Sequence, residues 1–175
     1  MNPFESGERR VVPATLIYLF CQNKVLMIHR IKKNKDIHEG KWNGIGGKLE
    51  LEESPEEGAI REIKEESGIS LLPSQLKPMG VLTFPSFKVD SKTNFEQDWI
   101  CFLFRADLEG SLADYKLVNS DEGHLEWVDQ EKIITLPLWD GDYEFIPKVI
   151  QGKAFIGTYW YKDKKLIKYT LKDIC

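Results

Sequence analysis

The chain has 175 residues, of which 42% are hydrophobic and 11% aromatic, enough to bury the core of one domain and too apolar for a disordered chain. A formal net charge of −4 and an isoelectric point near 5.5 argue against a protein that grips long nucleic acid by its phosphates, though not against a small anion held through a metal. Cys21, Cys101 and Cys175 are scattered and odd in number, which fits a reducing cytoplasm rather than a disulfide framework, and they read as core or terminal residues.

Residues 11–21 read as a buried strand, because the apolar run 14–21 is too short to span a membrane and no small-residue cleavage site follows it. Residues 24–31 form a second strand, joined to the first by a Gln22-Asn23 hairpin turn. The polar, basic stretch 32–41 reads as a loop, and 42–51 as a glycine-rich loop followed by a short strand. The best-signalled helix covers 54–67. Ser54 is a natural N-cap, Pro55 falls at N1, Glu57 completes a capping box, and Gly68 ends the helix. Residues 81–87 and 99–107 are strand-like, and 124–128 form a short strand. A second helix is expected over 139–151, with Ile146, Val149 and Ile150 on one face and Pro147 either kinking it or moving its start later. Residues 155–161 and 165–171 close as a hairpin around Lys162-Asp163-Lys164. The order predicts a single α/β domain over 1–175, a mixed β-sheet with helices on its faces.

The segment 46–69 is dense in glutamate, and its acids do not share one explanation. Glu56 and Glu57 sit at the positive end of the helix dipole, and Glu50 and Glu52 read as solvent-facing. Glu62, Glu65 and Glu66 share one helix face, while Ala59, Ile60 and Ile63 form the adjoining face that would bind the sheet. Like charges at i, i+4 repel, more strongly when partly buried, and these lie where the dipole also disfavours anions. From the residues alone two readings stand. The face is solvated, with Arg61 and Lys64 between the acids, or it is a site for hard divalent cations, which prefer clustered carboxylate oxygens.

The spacing then becomes informative. Gly47, five residues, Glu53, seven residues, Arg61-Glu62-Ile63, one residue, Glu65-Glu66, one residue and Gly68-Ile69 together resemble a complete Nudix box. Resemblance to the MutT-related Nudix hydrolases implies a Nudix-type α/β/α sandwich. It also implies hydrolysis of a nucleoside diphosphate linked to another group, with Mg²⁺ or Mn²⁺ as cofactor. Under it, Glu62, Glu65 and Glu66 are metal ligands with the Gly47 carbonyl, Glu53 supports the cluster or reaches a second metal through water, and Arg61 orients the acids by salt bridges. The chemistry agrees, since a phosphoanhydride repels hydroxide until cations neutralise it, and a nearby carboxylate can then take a proton from water. Glu65 or Glu66 can be that base. So can Glu122, in the loop Ser120-Asp121-Glu122, where related proteins often place another glutamate.

The stretch Lys41-Trp42-Asn43-Gly44, with Leu138-Trp139-Asp140-Gly141-Asp142-Tyr143 and Tyr169-Thr170-Leu171, resembles the oxidised purine nucleoside triphosphatase (8-oxo-dGTP diphosphatase) branch. That branch reads the purine edge with an asparagine after the first tryptophan and acids after the second. Asn43 and Asp142 match. The neighbouring acid falls on Gly141, with Asp140 displaced by one, and Ile37 stands where the branch often carries an aromatic, so oxidised-base selectivity is the point the resemblance leaves open. Phe84 and Trp139 are expected as walls around a base or as core residues, and Lys48 faces either phosphate or solvent. His29, His38 and His124 lack ligand spacing and are given no site role. The resemblance implies a pyrophosphohydrolase acting on a small nucleotide, while the cysteines, the acidic charge and the short apolar run lead us to expect a cytoplasmic protein without long nucleic acid or membrane as partner. The alternatives are a Nudix hydrolase of ordinary dNTPs, dinucleoside polyphosphates, nucleotide sugars or capped RNA, and a non-catalytic nucleotide-sensing module, against which the full set of box acids counts.

Overall fold

A computed structural model describes Asn2, Ser6 and residues 9–31, 38–89, 96–118 and 121–174. Strand β1 (Arg9–Cys21) turns at Gln22-Asn23 into β2 (Lys24–His29), with Gln22 at φ 54 absorbing the reversal. The sheet continues through β3 (Trp42–Asn43), β4 (Lys77–Val89), β5 (Glu96–Leu108), β6 (His124–Asp129), β7 (Phe155–Lys162) and β8 (Lys165–Asp173). Its order is β3-β2-β1-β5-β4-β7-β8, with β6 on the other edge of β2. The sheet is mixed, as expected: β1 runs parallel to β5 and β4 parallel to β7, while the other pairs are antiparallel.

The pleat of β1 sorts its side chains between two cores. Ile17, Leu19 and Cys21 face helix α1 (Pro55–Ser67), where Ala59 and Ile63 are fully buried and Ile60 packs at the margin. Tyr18 and Phe20 face helix α2 (Asp142–Ile150), which contributes Phe145, Ile146 and Val149. The result is the expected α/β/α sandwich.

Helix α1 begins and ends as its sequence demands. The Ser54 hydroxyl accepts the Glu57 N–H at 3.2 Å, and the Glu57 carboxylate accepts the Ser54 N–H at 2.8 Å, a cap worth about 1 kcal/mol. Gly68 closes the helix at φ 79, donating its N–H to the Lys64 carbonyl. Burying Ile63 against the sheet adds roughly 1.5–3 kcal/mol and fixes which helix face looks outward.

Two expectations are corrected. The short strand expected late in 42–51 lies instead at its start, at Trp42–Asn43, and the remainder crosses β1 through isolated bridges at Ile17–Ile45 and Ala14–Lys48. That segment occupies the edge of β1 that β2 leaves after Leu26. The second helix starts at Asp142, not 139. Residues 139–141 form a turn in which the Asp142 N–H is taken by the Trp139 carbonyl, and Pro147 remains inside the helix.

Candidate active site

The segment between β3 and α1 brings backbone against carboxylate. A Cβ on Gly47 would lie 2.4 Å from Glu62 Oε1, so any larger residue here would push that carboxylate out of its place. The Gly47 carbonyl accepts the Thr15 N–H at 2.8 Å and keeps a second lone pair.

Behind the acids lies Arg61. Its Nε and Nη2 donate to the two oxygens of Glu53 at 3.1 and 2.7 Å, its Nη1 to Glu62 at 2.8 Å and Glu65 at 3.3 Å, and its Nη2 also to the Lys48 carbonyl at 3.1 Å. Arg61 thereby ties three box acids to the loop before the helix. The guanidinium, with the Glu50 N–H, holds the Glu53 carboxyl below its usual range. Burial pushes Glu62 up despite Arg61.

Glu66 is only 6% exposed and accepts the Gly46 N–H at 3.3 Å. Burial, and then the charge of Glu62, push its carboxyl up to about 8. A buried carboxyl beside a second carboxyl, with a carbonyl brought close by Gly47, is a donor set suited to a hard divalent cation. Among the described residues, however, no three His, Cys, Asp or Glu side chains are already gathered as a metal cage. Arg61 draws Glu53, Glu62 and Glu65 toward itself instead.

The outward acids open into a cleft of about 910 Å³. Glu62, Glu65, Glu66, Gly47, Lys48 and Glu122 line it, and so do Asn43, Phe84, Trp139 and Asp142. Most of the expected site residues therefore share one cavity. Glu53 and Arg61 do not line it; both are spent on the ion pair that braces the helix. Glu122 pairs with Arg30 at 2.7 Å, and both side chains face the cleft. Lys48 is exposed, with its ammonium 5.5 Å from the centre of the Trp99 ring. Asp140 takes the Leu166 N–H at 3.2 Å and does not line the cleft. Ile37, Ser120 and Cys175 lie outside the described residues.

Trp139 is both wall and core: it lines the cleft at 6% exposure and meets Tyr161 edge-on at 5.5 Å. Its Nε1–H donates to His38 Nδ1 at 2.9 Å, so His38, given no role from sequence, supports a cleft wall. Phe87, Trp99, Cys101, Arg30 and Tyr161 also line the cleft and were missed. Phe87 was hidden by parity. In a regular strand it would oppose Phe84, but the pairing slips from Phe84–Trp99 to Lys88–Gln97 and Ser86 takes φ 49, so the two rings lie 5.4 Å apart.

Burial also pushes Asp142, 9% exposed, up to about 7. Glu66 and Asp142 thus hold a proton more tightly folded than unfolded. Their contribution to stability is complete below about pH 4 and is lost as pH rises toward 8. Urea unfolding in EDTA should show a loss of roughly 3–7 kcal/mol between pH 5 and 8.5. Glu66→Gln and Asp142→Asn should each flatten that slope, and an unchanged slope in both would show that these carboxyls do not carry it.

Residues 10–149 match the NUDIX domain family. The chain is 32% identical over 155 residues to an uncharacterized Nudix hydrolase, YvcI, of Bacillus subtilis (strain 168), covering 87% of this chain and 89% of that one. It is 32% identical over 154 residues to the oxidized purine nucleoside triphosphate hydrolase of Danio rerio, covering 87% and 88%. A crystal structure of a mutator MutT protein from Bacillus halodurans superposes with a TM-score of 0.75 at 25% identity, covering 91% of this chain and 97% of that one. The chain belongs to the Nudix family and is a hydrolase of nucleotide diphosphate linkages.

Proposed function

We propose that the protein is a metal-dependent nucleoside triphosphate pyrophosphohydrolase that removes oxidised purine nucleotides such as 8-oxo-dGTP, releasing monophosphate and pyrophosphate. The observation that carries this reading is that Asn43 and Asp142 line the same cleft as the box carboxylates. The names of the Danio rerio and Mus musculus relatives, both oxidized purine nucleoside triphosphate hydrolases, support it.

Nudix enzymes generally need a divalent metal. Here Glu62, Glu65, Glu66 and the Gly47 carbonyl would hold Mg²⁺ or Mn²⁺, while Arg61 and Glu53 position them. When bound, the cation neutralises phosphate charge and acidifies water. The chain's own residues do the rest. Phe84 and Trp139 flank the base, Asn43 and Asp142 hydrogen-bond its edge, and Lys48 meets phosphate. Glu65 is the most exposed of the box ligands, with 59% of its side chain accessible, and with Glu122 it is the carboxylate best set to accept a proton from water. Free thiols at Cys21 and Cys101 support a cytoplasmic location, and among the described residues no helix is long and apolar enough to cross a membrane.

A second reading, dinucleoside polyphosphates, is favoured by the extra aromatic wall of Phe87 and Trp99, whose rings meet at 6.2 Å with Lys48 and Lys88 over the indole. A screen with Mg²⁺, identifying products and the fragment that takes ¹⁸O from labelled water, tests both. The expected result is preference for an oxidised purine triphosphate over dGTP and release of pyrophosphate. Equal turnover of all triphosphates would remove the cleansing role but leave the hydrolase. Turnover confined to dinucleoside polyphosphates would favour the second reading.

A further inference from the structure

The residue before Asp142 is Gly141, which carries no side chain of its own. A Cβ on Gly141 would lie 2.6 Å from Tyr159 Cδ1 and 2.8 Å from the Tyr161 hydroxyl oxygen, so that space is filled from β7. The Gly141 N–H donates to the Tyr161 hydroxyl at 2.8 Å. The Tyr161 ring is held edge-on by Trp139 at 5.5 Å and by Phe87 at 5.8 Å, and it lines the cleft with Asp142 and Asn43.

A phenol that accepts one hydrogen bond can still donate one. Among the described residues no acceptor takes the Tyr161 hydrogen. Burial pushes this phenol well up, so it stays protonated across the physiological range. The cleft is therefore lined both by a phenol O–H, anchored on the Gly141 N–H, and by the carboxyl of the following residue, Asp142. That pair complements an edge with an acceptor beside a donor, which a 6-oxo purine offers at O6 and N1–H. A 6-amino purine offers the reverse order.

We propose that Tyr161 is a specificity-determining residue whose hydroxyl, beside Asp142, selects 6-oxo purine nucleotides over 6-amino ones. The inference rests on the purine triphosphate reading of the cleft. Its test is Tyr161→Phe, comparing kcat/KM for 8-oxo-dGTP, dGTP and dATP on one preparation, so that the fraction of folded enzyme cancels. The expected result is a fall of about tenfold in the dGTP-to-dATP ratio, the value of one hydrogen bond. A ratio unchanged within about twofold overturns the proposal, because loss of a single bond should exceed that. A second measurement needs only the unaltered protein. It should turn over 6-thio-dGTP, whose sulfur is the poorer acceptor, less well than dGTP, and equal rates overturn the proposal too. If the unaltered protein hydrolyses dinucleoside polyphosphates but no purine triphosphate, the reading beneath this inference fails with it. Hydrolysis of dGTP with unchanged selectivity in the variant removes Tyr161 alone.

Discussion

Glu66→Gln is expected to lower kcat about 1,000-fold, a barrier increase of roughly 4 kcal/mol, while the protein stays folded. The substitution keeps the shape of the side chain and its carbonyl oxygen, which can still accept the Gly46 N–H. It removes the charge that a divalent cation would meet at the most buried of the box acids. Stability should move the other way. The Glu66 carboxyl is pushed up to about 8 by burial and by Glu62, so a neutral amide removes a cost that grows with pH. In EDTA at pH 8 the variant should therefore unfold at equal or higher urea concentration than the parent, and should gain less from added Mg²⁺. Glu56→Gln, on the exposed first turn, is the control and should leave turnover unchanged. A Glu66→Gln enzyme with parental kcat would remove this helix face from the chemistry. Lower activity accompanied by lower stability in EDTA would show a structural acid instead.

The box was legible because its information is local. Ser54, Glu57 and Gly68 each act on a neighbour within four residues, so the limits of α1 followed from capping chemistry alone. The segregation of Ala59 and Ile63 from Glu62 and Glu65 likewise needed only helical periodicity, whereas Glu66, seven residues after Ala59, is buried on the same side as the apolar residues. What Glu53 does was less legible. Its spacing named it as part of the acid cluster, but the geometry gives both its oxygens to Arg61. Spacing along a chain does not reveal which way a carboxylate turns once a guanidinium competes for it.

The base-binding wall was largely illegible, for two physical reasons. Its members come from strands joined by non-local pairing: β4 lies against β7 in parallel, and Gly141 meets a hydroxyl twenty residues away. No local pattern encodes such contacts. The second reason is the irregularity in β4. The period-two rule puts Phe84 and Phe87 on opposite faces, and only the slipped register near Ser86 returns Phe87 to the cleft. Clustered aromatics at 84, 87 and 99 were the one available signal, but without the pairing they could equally have been core.

Asp142→Ala is expected to lower kcat/KM for the preferred purine triphosphate about 100-fold, almost entirely through KM. The contrast with Glu66 is the point of the measurement, because the two residues share a cleft but not a task. Asp142 sits with Asn43 and Tyr161, and its loss should weaken binding of the base before and during the reaction alike. Its carboxyl is pushed up to about 7 by burial, so near neutral pH it exists in both forms, and only the ionised form accepts from an N–H on the base. The parent enzyme's KM for a 6-oxo purine should therefore fall as pH rises from 6 to 8, and that dependence should vanish in Asp142→Ala. Asp142→Asn should retain part of the affinity through its amide oxygen and also lose the pH dependence. Should KM stay unchanged in Asp142→Ala across this range, the base would have to be read elsewhere in the cleft. Phe87 and Trp99 would then be the walls to test next, and dinucleoside polyphosphates the substrates.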